Sequence, residues 1–153
     1  MKKLLLIIVA TVTSLIAHAQ VITSSSILDS YQKAILNANS EYCYNADIEN
    51  GRVTAQYVYR KAMNDATATQ LRPHLKYCYE YDAADRLVSR TKLRWDSSAL
   101  DWTADSRLDY SYSDDSYTVE LRKWDEADRQ YGRPTQKMSY SILPDRSLAN
   151  VTQ

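Results

Sequence analysis

The sequence contains no phenylalanine and, among 153 residues, only two glycines, three prolines and two cysteines. Glycine this scarce argues against chemistry built on glycine-rich turns. No G-x-S-x-G nucleophile elbow, phosphate loop or dinucleotide fingerprint occurs in it. Two cysteines are too few for a disulfide scaffold and, with two histidines, too few for a structural zinc cage. An excess of one charge is also missing, since 19 Lys+Arg balance 19 Asp+Glu. That balance leaves no footprint for nucleic acid or an anionic membrane surface. Neither a cofactor nor a metal is expected.

What is present begins with an address. Lys2 and Lys3 precede an apolar run from Leu4 to Ala17, shorter than the about 20 residues a bilayer span needs. Ala17-His18-Ala19 then has the small-x-small form of a signal-peptidase site. Cleavage is expected before Gln20, giving a secreted or periplasmic protein with no membrane span. The chain divides into a signal peptide over residues 1–19, an N-terminal arm and helix over 20–40, and a β domain over 41–153.

Ile27, Leu28, Tyr31, Ile35 and Leu36 recur at helical spacing, and Ser24 to Ser26 offer N-caps, so Ser24 to Ser40 reads as a helix. From Tyr42 the period becomes two. Asn50-Gly51 suits a two-residue type I′ turn. That turn pairs Ile48 with Val53, Ala46 with Ala55, Tyr44 with Tyr57 and Tyr42 with Tyr59. Lys61 to His74, with Asn64-Asp65 and Pro73, reads as a long connection with room for one helical turn. A second hairpin turns at Ala83 to Asp85, with Asp85 left-handed. It pairs Tyr81 with Leu87, Tyr79 with Ser89, Tyr77 with Thr91 and Leu75 with Leu93. Trp95 and Trp102 flank a wider loop. Asp114-Asp115 makes another two-residue turn, pairing Tyr112 with Tyr117, Tyr110 with Val119 and Leu108 with Leu121. Arg107–Glu120 and Asp109–Arg122 are expected as compensating diagonals on the other face. Trp124-Asp125-Glu126-Ala127-Asp128-Arg129 echoes Tyr81-Asp82-Ala83-Ala84-Asp85-Arg86, which suggests one hairpin unit used repeatedly. A bulge at Gly132-Arg133-Pro134 precedes the last strand, with Met138, Tyr140 and Ile142; Pro144 ends it.

Tyr81-Asp82-Ala83-Ala84-Asp85-Arg86-Leu87 resembles the Y-D-x-x-G-R-L unit of tyrosine–aspartate repeats, with Asp85 where that family has Gly. Over most of Tyr42 to Ile142 the chain is similar to short secreted Bacteroidetes proteins of unknown function. The resemblance implies export and a β-sheet, and no activity.

The candidate chemistry is thin. His74, the one histidine left after cleavage, has no elbow serine and reads as the residue that leads into a strand after Pro73. Cys43 and Cys78 sit in equivalent places of non-sequential strands. With one strand between them they are about two spacings apart, near 9–10 Å, beyond the roughly 7 Å limit of a bridge. Two buried thiols are the expectation. Asn45, Asp47 and Glu49 imitate the start of a calcium loop, but the Gly comes one place late and Gln56 stands where the acid belongs. Asp82, Asp85, Asp114, Asp115, Asp125 and Asp128 lie at turns, which explains them without catalysis. The unusual feature is 13 Tyr with no Phe, which suits surfaces that are apolar yet supply the phenol with a partner.

The sequence therefore predicts a mainly β fold: an antiparallel meander of about seven strands, with an N-terminal amphipathic helix packed on one face. The role expected is a non-catalytic binding or structural module of the envelope or secreted fraction. Its surface would be Trp95, Trp102, Tyr110 and Trp124, facing a protein, peptide or glycan; self-association would be another way to cover that surface. The competing reading is a carboxylate-dependent glycan hydrolase, which requires two acids converging in a cleft.

Overall fold

The computed structural model describes residues 20–36, 41–64 and 68–142. The signal-peptide assignment, Asp65, Pro144 and the last residues of the expected helix lie outside them. Helix α1 (Ser24–Leu36) precedes seven strands: β1 (Tyr42–Glu49), β2 (Arg52–Asn64), β3 (Ala68–Tyr81), β4 (Leu87–Asp96), β5 (Asp101–Tyr112), β6 (Ser116–Asp125) and β7 (Gln130–Ser141). They form one antiparallel sheet in the order of the chain, a meander.

Thr23, rather than one of the serines, caps α1. Its carbonyl accepts from Ile27 N–H at 3.1 Å, and its own N–H donates to Ser26 Oγ at 2.9 Å. This is a capping box with Ser26 in the usual Glu/Gln place. Ile22, Ile27, Leu28 and Tyr31 pack on Val53, Val58, Tyr77, Tyr79 and Leu87 of the sheet. Val53 and Leu87 are 0% and 1% exposed. A second cluster, Tyr117, Val119 and Tyr140, continues this face toward β7.

The expected turns form. Asn50 and Gly51 take φ of 51° and 77°, as a type I′ turn requires. Asp85 has φ 65° and donates its N–H to the Asp82 carbonyl. The registers beyond the turns differ. β1–β2 starts with Glu49↔Arg52 and Ile48↔Val53, then a bulge at Thr54 gives Asp47↔Ala55, Asn45↔Tyr57 and Tyr44↔Val58. The expected Ala46–Ala55, Tyr44–Tyr57 and Tyr42–Tyr59 pairs are therefore displaced by one. β3–β4 does the same: Tyr81↔Leu87 holds, then the ladder shifts to Glu80↔Ser89, Tyr79↔Arg90 and Tyr77↔Lys92. An extra residue reverses the faces beyond it, and both bulges are followed by side chains that suit the reversal. Val58, not Tyr57, enters the core.

The β5–β6 register is the expected one, Tyr112↔Tyr117 through Leu108↔Leu121. β7 is irregular around Gly132 to Thr135, where a bulge was expected. The described residues of the Lys61–His74 connection, 61–64 and 68–74, are strand instead. β2 runs on to Asn64, and β3 begins at Ala68. Pro73 is tolerated because the ladder shifts there, between Val58↔Leu75 and Tyr59↔Pro73.

Candidate functional site

The face opposite α1 can be read off the ladders, because directly paired residues point the same way. One row on this face is Asp47, Ala55, Cys78, Thr91, Arg107 and Arg122. A second is Glu80, Ser89, Asp109, Glu120 and Lys137. Asp105 is the extra residue in β5, between Leu93↔Ala104 and Lys92↔Ser106. It reverses the strand, so Trp102 lies on this face while Tyr110 lies on the helix face. Tyr110 packs with the core there. The expected patch of Trp95, Trp102 and Tyr110 is thus divided between two sides of the sheet.

Trp95, Trp102 and Trp124 do share a face. Trp95 and Trp102 pair across β4–β5, with ring centroids 5.2 Å apart at 73°. Trp124 and Tyr131 pair across β6–β7 at 5.0 Å and 70°. The two pairs belong to one repeated turn, W-D-x-x-x-x-[DQ]-[WY]. Asp96 Oδ1 accepts from the N–H groups of Ser98 and Ala99, and Asp125 Oδ1 from those of Ala127 and Asp128. Each loop closes on a left-handed residue, Leu100 (φ 54°) or Arg129 (φ 51°). Trp124-Asp125 therefore repeats Trp95-Asp96 rather than the three-residue turn at Tyr81-Asp82. All three indoles are part-buried.

Tyr57 and Tyr59, delivered to this face by the Thr54 bulge, extend the cluster. The Tyr57 ring lies 6.5 Å from Tyr59 and 6.2 Å from Trp102. β3 and β4 lie between Tyr57 and Trp102, so these rings lie down across the sheet. Lys76 Nζ is 5.0 Å from the Tyr57 centroid, and Tyr57 hydroxyl donates to Asp47 Oδ2 at 2.8 Å. That bond first, and burial second, raise the phenol above its usual range. Tyr57, Tyr59 and Tyr131 were not legible as site residues. Only the repeated turn, comparing Gln130-Tyr131 with Asp101-Trp102, could have found Tyr131.

Beside the rings runs an ion-pair ladder. Arg107 contacts Glu80 at 3.4 Å and Asp109 at 2.6 Å. Arg122 contacts Asp109 at 2.9 Å and Glu120 at 2.8 Å, and Lys137 reaches Glu120 at 3.4 Å. The Asp109–Arg122 diagonal forms as expected; Arg107 turns to Glu80 instead of Glu120. The fully buried Ser89 hydroxyl donates to Glu80. Every acid of this ladder faces an arginine.

Cys43 and Cys78 are free, part-buried rather than buried, and separated by β2. Burial raises the Cys78 thiol above its usual value. His74 stacks on Tyr42 at 5.8 Å. Among the described residues no group of three or more His, Cys, Asp or Glu is placed to hold a metal, and no helix is long and apolar enough to cross a membrane.

A family of unknown function, DUF3836, matches residues 1–142. The chain belongs to this family. Solved structures share its fold. A DUF3836 protein from Bacteroides vulgatus ATCC 8482 is 25% identical, with a TM-score of 0.58 over 65% of this chain and 98% of that one. Another from Parabacteroides distasonis ATCC 8503 is 19% identical, with a TM-score of 0.56 over 66% and 90%. A protein of unknown function from Bacteroides fragilis NCTC 9343 is 24% identical, with a TM-score of 0.57 over 70% and 75%. No curated protein matches the chain significantly. DUF3836 membership brings the fold and no assigned activity.

Proposed function

We propose that this DUF3836 protein is an exported, non-catalytic binding module whose recognition surface is the aromatic face opposite α1. The observation that carries the reading is the repeated turn, which sets Trp95–Trp102 and Trp124–Tyr131 on one side of the sheet, part-buried. Part-buried aromatic rings give large contact area at low entropic cost. The carboxylates of Glu80, Asp109 and Glu120 are engaged by arginines in a row along the sheet rather than set against each other in a cleft, which supports binding over hydrolysis. Tyr110 belongs to the core and drops out of the surface.

The test uses the three indoles as built-in reporters. Envelope proteins, peptides and glycans are titrated while tryptophan emission is followed. A true ligand should shift the emission and lose affinity at least tenfold in the Trp102→Ala/Trp124→Ala double variant. A ligand that binds both proteins equally would place recognition elsewhere. Steady release of product from a glycan, abolished by Asp109→Asn, would favour the hydrolase instead.

Export rests on Lys2-Lys3, the run to Ala17 and Ala17-His18-Ala19. Mass spectrometry of the native protein should find Gln20 at the N-terminus. A mature protein that keeps Met1 to Ala19 would refute the processing.

A further inference from the structure

The β2–β3 ribbon outruns both of its neighbours. β1 registers with β2 only as far as Tyr42↔Arg60, and β4 with β3 only as far as Leu75↔Arg94. Arg60↔Arg72 sits where β1 ends, since the Lys61 N–H still donates to the Glu41 carbonyl at 2.9 Å, and beyond it β2 and β3 continue through Lys61↔Leu71 and Ala62↔Gln70. An open concavity of about 290 Å³ lies on this ribbon, lined by Arg60, Lys61, Ala62 and Arg72.

Three of these four residues are cations. Arg60 and Arg72 are direct cross-strand partners, and like charges in that position destabilise a sheet. Arg60 is 61% exposed and reaches Glu41 at 3.4 Å. Among the described residues neither Lys61 nor Arg72 makes an ion pair. The positive field reaches along β3. Burial, then the charges of Arg60 and Lys92, hold the His74 imidazole below its usual value, and the Glu41 carboxylate does not reverse this. Glu41 meets Arg60 from the β1 side only, and a like-charged pair placed in a concavity open to solvent is explained by an anion that binds between its members.

We propose that Arg60 and Arg72 form an oxyanion site that takes a phosphate or sulfate group. Guanidinium forks match the planar edges of such a group and can each donate two hydrogen bonds. The bound dianion replaces the Arg60–Arg72 repulsion with attraction to both. The site is separate from the aromatic face, because Arg60 pairs with Tyr42 of the helix side, and it does not rest on that reading.

Thermal unfolding of the whole chain, in sulfate against chloride at equal ionic strength, tests it. Sulfate should raise the midpoint of the native protein by several degrees. Arg72→Gln should raise the midpoint in chloride, because it relieves the repulsion, and should lose most of the sulfate increment. Arg72→Lys, which keeps the charge but not the fork, should lose part of it. Lys137→Gln makes the same charge change on β7 and should keep the increment. Sulfate also stabilises proteins by exclusion from their surface, so the difference between variants is the readout. A second arm supplies the sulfate on a heparin-derived oligosaccharide. A larger Arg72-dependent rise there, at equal sulfate, identifies the physiological group as one carried on a polymer; an equal rise identifies the free ion. The proposal is overturned if Arg72→Gln keeps the full increment in both arms, or if Lys137→Gln loses as much.

Discussion

Asp85 takes a left-handed backbone, φ 65°, where glycine is the usual residue, and its contacts explain why a side chain is worth it. Its Oδ2 accepts from the Ser24 hydroxyl at 2.6 Å, and its Oδ1 lies 2.7 Å from Arg52 Nε. One carboxylate therefore ties the β3–β4 turn to the start of α1 and to the first residue of β2. Asp85→Gly should cost less than Asp85→Ala by about 1 kcal/mol, because only glycine escapes the penalty of positive φ. In urea unfolding, a double-mutant cycle with Ser24→Ala should show coupling of about 1 kcal/mol. Additive single and double variants would mean that the helix is anchored by other contacts. The tyrosines follow the same logic. Tyr81 hydroxyl donates to the Val53 carbonyl at 2.8 Å, Tyr112 to the Leu87 carbonyl at 2.6 Å, and Tyr79 to Gln56 Oε1 at 2.9 Å. Phenylalanine would fill these places but could not make the bonds, which accounts for a core built on tyrosine.

At the scale of elements, turns and bulges divide the labour. Turns fix where a hairpin starts, and bulges decide which face each later residue takes. The Asn50-Gly51 turn offers a clean test, because a Cβ on Gly51 would meet no atom within 4 Å while its φ is +77°. The cost of Gly51→Val is then a backbone cost, about 1 kcal/mol or more. Gly132→Ala, whose Cβ would meet Lys123 O at an ordinary 3.7 Å, should change stability much less. Equal melting temperatures for native protein and Gly51→Val would remove the basis for the type I′ assignment. The Asp105 bulge has the largest consequence. Its carboxylate holds Lys92 at 3.1 Å and Arg94 at 2.9 Å. It also separates the indole of Trp102 from the core residue Tyr110 of the same strand.

The whole molecule is a sheet with two unlike sides. One is covered in part by α1 and lined with hydrogen-bonded phenols; the other carries aromatic pairs and an ion ladder. Burial, the largest cause, pushes the phenols of Tyr79 and Tyr112 up from 10.0 to about 12. A group raised in the folded state adds stability that is complete below its unfolded value and is lost as pH climbs to its folded one. The protein should therefore lose stability steeply between about pH 10 and 12, and unfold as these phenols ionise. Phenolate absorbance and circular dichroism, followed together, should show late-titrating tyrosines, Tyr79, Tyr81 and Tyr112 among them, that ionise with the loss of structure. If every tyrosine titrates near 10.0 with the sheet intact, the tyrosine core is more open to water than its geometry indicates.

Local chemistry determined the class of fold, the seven-strand meander, the helix on one side and the positions of most turns. Asn-Gly, Asp at loop starts and period-two strands act within a few residues, so they are legible without partners. β5–β6, whose ladder has no bulge, was legible to the pair. The faces beyond Thr54, the β3–β4 ladder shift and Asp105 were not, because an extra residue leaves the hydrophobic alternation nearly unchanged on paper. Only packing decides where it is absorbed. For the same reason Trp95, Trp102 and Trp124 could be picked out by composition, but their union with Tyr57 and Tyr131 could not. The long β2–β3 ribbon was hidden too, since Asn64-Asp65 and Pro73 look like a break. Cross-strand pairing carries β2 to Asn64 and starts β3 at Ala68, and tertiary structure alone brings Arg60 opposite Arg72.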